Sequence, residues 1–285
     1  MQRREFLAGS VGVALSAFPR HARASETKKY ATDRIKLGPM GVEVSRLAMG
    51  TGTNGVAGSS NQSRKLGLRG LADLLRAGYD SGITFWDSAD QYGTHVHVRE
   101  ALKGLSREKI TLLTKTHAST ANEMRADLDR FRRELGTDYL DIVLLHCMTD
   151  ADWPVQKRGA MEVLAEAREK KLVRTHGVSC HTIEALRSAA AEPWVQVDLA
   201  RINPAGAIMD ADLNTVLGVL RQMKAAGKGV IGMKILGAGR LRDRAEESLR
   251  FVLAQNCVDA FTIGGEDRSE LQDLLRKIPA SSVRG

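Results

Sequence analysis

The chain has 285 residues, 43% of them hydrophobic, and its formal net charge is +8. This length suits one barrel-sized domain of roughly 250 residues once a leader is subtracted. Basic residues are interspersed with acidic ones instead of forming a stripe, which argues against a nucleic-acid-binding surface. The three cysteines form no CxxC pair, which argues against a disulfide framework and an iron–sulfur cluster.

The N-terminal residues have the features of an export signal. Arg3-Arg4 precedes a mildly apolar segment, 6–18, and Ala22-Arg23-Ala24 supplies the small residues of a cleavage site. The arginine pair resembles a twin-arginine signal, and the apolar segment is shorter than the ~18 residues that a membrane span needs. We therefore predict a twin-arginine signal peptide over 1–24 and a mature barrel domain over 25–285. The expected partner is the twin-arginine export machinery, and the expected location is periplasmic or otherwise extracytoplasmic, with no stable membrane span.

A β-hairpin is predicted after a short polar lead-in. Two alternating runs, 35–37 and 42–44, flank the turn residues Gly38-Pro39-Met40-Gly41. A hairpin at this place could close the bottom of a barrel. Residues 46–49 then predict the first barrel strand, and 50–63 form a loop rich in glycine, serine and asparagine.

Short apolar runs alternate with amphipathic segments over the rest of the chain. The further predicted strands are 83–87, 110–114, 141–145, 172–178, 195–202, 229–235 and 260–263. The predicted helices are 66–81, 96–105, 122–136, 160–171, 182–191, 212–226, 245–255 and 269–278. Eight strand–helix alternations with short connections predict an α/β fold, a parallel (β/α)8 TIM barrel with an N-terminal β-hairpin.

Polar side chains of different chemistry follow three neighbouring strands. Asp87 ends the second strand, and Tyr92 follows it on a loop. Lys115 follows the third strand and His146 the fourth. Since a parallel barrel gathers the C-terminal ends of its strands around one mouth, we expect these four side chains to converge.

These segments resemble the aldo-keto reductases, whose catalytic tetrad is Asp, Tyr, Lys and His in that order. The matching patterns are FWDSADQYG (85–93), TK (114–115) and LLH (144–146), and the resemblance extends over about 33–278. LGPMGVEVSRLAMGTG resembles the opening hairpin and first strand of the family, and GVSCH resembles its strand-five motif. The resemblance implies an NAD(P)H-dependent oxidoreductase that reduces a small carbonyl substrate to an alcohol.

The four residue types suit carbonyl reduction. A free tyrosine with a pKa near 10 is a weak proton donor at neutral pH. An ammonium within ~4–6 Å lowers that pKa, so Lys115 is expected to activate Tyr92 as the general acid. Asp87 keeps the buried lysine charged, and His146 orients the substrate oxygen.

The resemblance also implies cofactor contacts, and several of them differ from the usual pattern. Cys180 replaces the usual asparagine beside Ser179, and Leu199 replaces a common glutamine. Met233 replaces the aromatic residue that stacks on the nicotinamide ring. The predicted cofactor-binding residues are Ser179, Cys180, Met233, Lys234, Gly237, Gly239, Gly264 and Arg268.

NADP is the leading expectation for the cofactor. NAD remains the alternative, because both acidic and basic residues accompany the predicted phosphate-binding turns. Glycines after strands seven and eight precede helices, where backbone N–H groups can approach phosphate oxygens. Two acidic residues would repel a 2′-phosphate, and three basic residues would attract it. The acidic residues are Glu266 and Asp267, and the basic ones are Lys234, Arg240 and Arg268.

The mouth loops carry no recognisable ligand signature, so the substrate is not predicted beyond Trp86 and Trp153 as its apolar walls. A reductase-like barrel that binds a ligand without turnover is one alternative, because usual cofactor contacts are missing. A metal-binding barrel is another, although no metal is the leading expectation. Its candidate ligands are His95, His97, His117, His146, Cys147, His176, Cys180 and His181.

Overall fold

The computed structural model describes residues 28–282, so the predicted signal peptide lies outside the described residues. A closed barrel of parallel strands forms the centre. Its strands are β3 (Leu47–Gly50), β4 (Phe85–Asp87), β5 (Thr111–Thr116), β6 (Leu140–Met148), β7 (Val173–Cys180), β8 (Val197–Arg201), β9 (Gly229–Met233) and β10 (Ala260–Ile263). They are neighbours in the order β10-β3-β4-β5-β6-β7-β8-β9. The predicted barrel is therefore confirmed.

Helices occupy the connections between successive barrel strands and surround the barrel. They are α1 (Asn61–Asp80), α2 (His95–Leu102), α3 (Ala121–Leu135), α4 (Trp153–Gln156), α5 (Arg158–Glu169), α6 (Ile183–Ala191), α7 (Leu213–Ala225), α8 (Ala245–Leu253) and α9 (Arg268–Ser281). Local signals explain their ends, as in α3. Thr120 and Glu123 form a capping box at its start, and Gly136 follows its end with φ 66°. No helix within residues 28–282 combines the length and the apolarity that crossing a membrane requires.

The predicted hairpin is present and contributes to the barrel interior. Strands β1 (Arg34–Leu37) and β2 (Val42–Ser45) pair antiparallel, and Gly38 and Gly41 supply the turn with φ 61° and 59°. Leu37, together with the apolar residues of β2, belongs to the buried cluster inside the barrel. Burial of this apolar face explains why the hairpin packs against the interior of the barrel.

Side chains of each barrel strand alternate between the interior and the layer beneath the helices. In β4, Phe85 belongs to the interior cluster and Trp86 to the outer one. Asp87 then points inward again at the C-terminal end of the strand, where Lys115 reaches it. This alternation decides which residues can reach the mouth.

Candidate active site

A buried ion pair forms the centre of the mouth. Lys115 Nζ donates hydrogen bonds to Asp87 Oδ1 and, at 2.7 Å, to the carbonyl oxygen of Ser88. The Thr262 hydroxyl donates to the other Asp87 oxygen at 2.8 Å. Lys115 exposes 1% of its side chain and Asp87 8%, so the pair is nearly excluded from water. Because β3, β4 and β10 are neighbours in the closed barrel, strands distant in sequence meet at this carboxylate.

Tyr92 ends a short 3₁₀ turn that follows β4 and lies beside this pair. Lys115 Nζ is 4.9 Å from the centroid of the tyrosine ring. The ring lies edge-on to the His146 imidazole, with centroids 5.6 Å apart and an interplanar angle of 82°. The structure thus brings together the four residues that the sequence placed at one mouth.

Two glycines that the sequence marked only as loop residues hold the tyrosine ring. A Cβ atom at Gly52 would lie 2.1 Å from Tyr92 Cε2, and one at Gly55 would lie 2.3 Å from Cδ1. The loop backbone therefore packs directly on the ring. The signal in the sequence was the glycine-rich composition of the loop, but nothing local indicated its partner.

Burial changes the proton affinity of the site residues. Burial raises the pKa of Tyr92, and the neighbouring Lys115 ammonium lowers it by less, so the net direction is upward. This corrects the expectation that the lysine alone would set that pKa below its ordinary value. Burial lowers the pKa of Lys115, but Asp87 and Tyr92 together raise it by more than burial lowers it. The net shift of this pKa is upward, so the lysine remains charged. Burial, with Lys115 nearby, lowers the pKa of His146 to about 2, so its imidazole is neutral at physiological pH.

Two further imidazoles lie against His146. His117 stacks on it with ring centroids 4.8 Å apart, and His181 lies edge-on at 6.4 Å. Burial lowers the pKa of His181 to about 4. Within residues 28–282, His146 Nδ1 and His181 Nδ1 are buried and have no hydrogen-bond partner. The wall beside Tyr92 is thus polar but uncharged at neutral pH.

A cleft of about 660 Å³ extends from Asp87 and Tyr92 past the end of β9 to the first turns of α9. Its size is that of a small-molecule or cofactor site. Four of the predicted cofactor residues line it, namely Met233, Lys234, Gly239 and Gly264. Leu199, at the position of the family's glutamine, lines it as well.

Four other predicted cofactor residues do not line this cleft. The Ser179 hydroxyl accepts a hydrogen bond from the backbone N–H of Cys147 at 2.9 Å, and its side chain is fully buried. Cys180 points into the apolar layer beneath the helices, because it alternates with the inward Ser179. Gly237 forms a turn with φ 56°, and the Arg268 guanidinium extends toward the carbonyl of Asp73, 3.5 Å away.

The structure corrects the prediction that two tryptophans form the substrate walls. Trp86 is fully buried in the outer apolar layer, since Asp87 beside it takes the inward direction. Trp153 exposes 1% of its surface and donates its indole N–H to the carbonyl of Ala185 at 3.3 Å. Both rings therefore stabilise the packing of helices on the barrel.

Within the described range, one group of side chains has ligand atoms close enough to hold a metal ion. Asp90, His95 and Glu134 bring such atoms within 4.8 Å of one another. His95 Nδ1 is already 2.7 Å from Glu134, and Arg130 binds Asp90 at 2.6 Å and Glu134 at 3.1 Å. These contacts describe an ion-pair network that joins the 3₁₀ turn to α3.

Comparisons with known proteins agree with this arrangement. A family model described as "Aldo/keto reductase family" matches residues 46–279. An aldo-keto reductase of Mycobacterium avium is 34% identical over 144 residues, covering 45% of this chain and 47% of that protein. The methylglyoxal reductase YeaE of Escherichia coli is 38% identical over 109 residues, covering 36% of each protein. The chain thus spans about half or less of the length of these relatives.

Solved structures share the fold over a longer stretch. The thermostable aldo-keto reductase Tm1743 is 21% identical, with a TM-score of 0.72. The superposition covers 89% of this chain and 95% of that one. At this level of identity the likeness establishes the barrel alone.

Proposed function

The chain belongs to the aldo/keto reductase family, and on that basis we propose that it reduces an aldehyde or a ketone to an alcohol with NADPH or NADH. The observation that carries the proposal is the convergence of Tyr92 and His146 with the buried Asp87–Lys115 pair at one end of the cleft. The cleft residues suit a dinucleotide, because Met233 offers an apolar contact for a ring. A Cβ at Gly239 would meet nothing within 4 Å, which leaves room for close approach.

The side chains then take the following roles. When bound in the cleft, NADPH or NADH would supply the hydride that the carbonyl carbon accepts. Tyr92 donates its proton to the carbonyl oxygen, and its raised pKa keeps that proton in place at neutral pH. The Lys115 ammonium stabilises the phenolate left behind, and Asp87 keeps the ammonium charged in a dry environment. Neutral His146 orients the carbonyl oxygen by hydrogen bonding.

Replacing the proposed acid tests this mechanism. Tyr92→Phe removes one hydroxyl, so turnover of a simple aldehyde should fall by ~10²–10⁴-fold while Tm remains nearly unchanged. Tyr139→Phe is the matched control, because that ring lies 4.4 Å from the Arg107 guanidinium and outside the cleft. Its turnover should equal that of the wild type. Unchanged turnover of Tyr92→Phe would rule out the phenol as proton donor.

A barrel that binds the cofactor without turnover is the second candidate. The replacements Leu199 and Met233 favour it, since both residues line the cleft and lack the usual contacts to the nicotinamide. Cofactor binding without reduction of any tested carbonyl would support this alternative. The mouth histidines do not favour a metal-binding function, since His117, His146 and His181 do not join any metal-ligand group found within residues 28–282.

We also propose export of the folded protein by the twin-arginine machinery, with removal of residues 1–24. The proposal rests on Arg3-Arg4 and on the cleavage-site pattern of the sequence. It assigns the catalytic barrel, 25–285, to the periplasm or another extracytoplasmic location.

A further inference from the structure

The end of the cleft beside α9 is lined by the carboxylates of Glu266, Glu270 and Asp273, and each of them is paired with a cation of the protein. We propose that the dinucleotide bound here is NAD(H) and not NADP(H), because this end accepts hydrogen bonds from ribose hydroxyls and repels a 2′-phosphate. The inference rests on the proposed function, which requires the nicotinamide to lie beside Tyr92. It replaces the sequence-based expectation of NADP.

The two ends of the cleft have different chemistry. Tyr92, Asp87 and Met233 line one end, whereas Ala245 of α8 and Leu274 of α9 line the other. Hydride transfer requires the nicotinamide at the Tyr92 end. The adenosine half must then extend toward α9, where the apolar side chains can contact a purine.

Carboxylates of the protein already accept hydrogen bonds from the donors at the start of α9. Asp267 Oδ1 accepts from the Glu270 N–H at 2.9 Å and from the Ser269 hydroxyl at 2.7 Å. Glu270 Oε2 accepts from the Glu266 N–H at 2.8 Å. Such N–H groups often bind phosphate, but here a phosphate would have to displace a carboxylate. The bonds from Ser269 and Glu270 lower the pKa of Asp267 to about 2, so its charge is present at physiological pH.

The cations at this end of the cleft are paired with carboxylates of the protein, and Lys65 lies 3.4 Å from Asp267 and 3.8 Å from Glu266. Arg242 nitrogen lies 3.3 Å from a Glu270 oxygen and 3.7 Å from a Glu266 oxygen. Lys277 lies 2.6 Å from Asp273. A 2′-phosphate, with a charge of roughly −1.5 to −2, would compete with these carboxylates for the cations. A ribose hydroxyl can donate to a carboxylate without adding charge, which is how acidic residues favour NAD in other dinucleotide sites.

The basic residues that the sequence offered as phosphate partners occupy other places. Lys234 lines the cleft immediately after Met233, at the end of β9. Arg268 extends toward the carbonyl of Asp73. Arg240 lines the cleft and is exposed, and we assign it to the pyrophosphate that both dinucleotides contain.

A binding titration of the purified wild-type protein tests the inference without measuring turnover. Quenching of protein fluorescence is followed as NADH or NADPH is added at fixed ionic strength. NADH should bind at least about tenfold more tightly than NADPH, a difference of about 1.4 kcal/mol, because the carboxylates repel the 2′-phosphate. Tighter binding of NADPH would overturn the inference and leave the proposed reduction intact. Binding of neither cofactor up to about 1 mM would overturn both.

A double variant tests whether the carboxylates cause the preference. Glu266→Gln with Glu270→Gln keeps side-chain length and an acceptor oxygen but releases Arg242 from its ion pairs. The ratio of NADPH affinity to NADH affinity should rise by about tenfold or more. Glu247→Gln is the matched control, because that glutamate pairs with Arg244 outside the cleft and should leave the ratio unchanged. An unchanged ratio in a double variant with wild-type Tm would contradict the role of these carboxylates.

The variant Arg240→Gln tests whether Arg240 binds the pyrophosphate or a 2′-phosphate. If Arg240 contacts the pyrophosphate, the variant should weaken NADH and NADPH binding by the same factor. A loss confined to NADPH would mean that Arg240 binds a 2′-phosphate, and the inference would be wrong.

Discussion

Asp198 is a buried carboxyl group on the outer face of β8. It has no exposed surface, and among residues 28–282 neither carboxylate oxygen has a hydrogen-bond partner. Burial raises the pKa of Asp198 to about 7, and the neighbouring Cys180 thiol lowers it by less. The negative charge of Asp210 raises it further, and Lys228 lowers it. The group is therefore largely protonated below neutral pH.

Asp198→Asn should stabilise the protein most at alkaline pH. The folded-state pKa of about 7 exceeds the ordinary 3.8, so the folded chain binds more protons and stability falls as pH rises from about 4 to 7. Asparagine cannot ionise. The variant's gain in unfolding free energy at pH 8 should exceed its gain at pH 5 by on the order of 1–3 kcal/mol. Melting curves of both proteins at the two pH values measure this difference, and equal gains would contradict it.

Three buried histidines act in the opposite direction. Burial lowers the pKa of His146 to about 2, of His176 to about 3 and of His181 to about 4. In the unfolded chain these histidines have a pKa near 6.5 and bind protons that the folded chain excludes. The free energy of unfolding therefore falls as pH falls below about 6.5. Because Asp198→Asn and the wild type share these histidines, the difference between their unfolding free energies at each pH does not include the histidine contribution.

The candidate tetrad could be predicted because each member occupies a recognisable place relative to a strand. Asp87 ends a strand, and Lys115 and His146 follow the predicted ends of two others. The surroundings of Tyr92 could not be predicted in the same way. Its upward pKa shift results from burial, to which the packing of the Gly52 loop contributes, and no local pattern encodes that contact.

The loop between β3 and α1 orients the proposed acid, and a single methyl group should disturb it. Gly52→Ala places a Cβ 2.1 Å from Tyr92 Cε2, so the ring must move. Displacement of a reacting group by about 1 Å can cost up to ~10²-fold in rate, so we expect turnover to fall by about 10-fold or more. Steady-state kinetics with a simple aldehyde measures the loss.

Gly218→Ala in α7 is the matched control, because a Cβ there would meet nothing within 4 Å. It should leave turnover unchanged and raise stability by up to about 1 kcal/mol, since alanine favours the helix. Full activity of Gly52→Ala would show that the loop does not orient the ring.

Most elements were predictable because apolar runs and glycine or capping residues bound them. The start of α1 was not, since Asn61 begins a helix that we expected at 66. Ser60 caps it with Ser63 in place of the more usual glutamate, and Gly67 interrupts it with φ 63°. The direction of Trp86 was predictable from strand alternation once Asp87 was assigned to the mouth.

At the scale of the whole chain, a separate variant tests the predicted signal peptide, 1–24. Arg3→Lys with Arg4→Lys preserves the charge but removes the arginine pair. If the pair is recognised, the variant should remain in the cytoplasm with 1–24 attached, as cell fractionation and intact-mass measurement would show. Arg20→Lys is the control and should be exported. Normal export of the double variant would exclude the twin-arginine interpretation.

Closure of the barrel joins the two ends of the domain, since Phe261 of β10 pairs with Leu47 of β3. The Asp87 carboxylate likewise receives its bond from Thr262, 175 positions later. A ribosome that adds about 5–20 residues per second needs about 9–35 s to make that interval. During synthesis Asp87 and Lys115 therefore emerge long before the strand that completes their surroundings. Until β10 is released, the Asp87–Lys115 pair of a nascent chain lacks the Thr262 hydrogen bond and the closed barrel that exclude it from water.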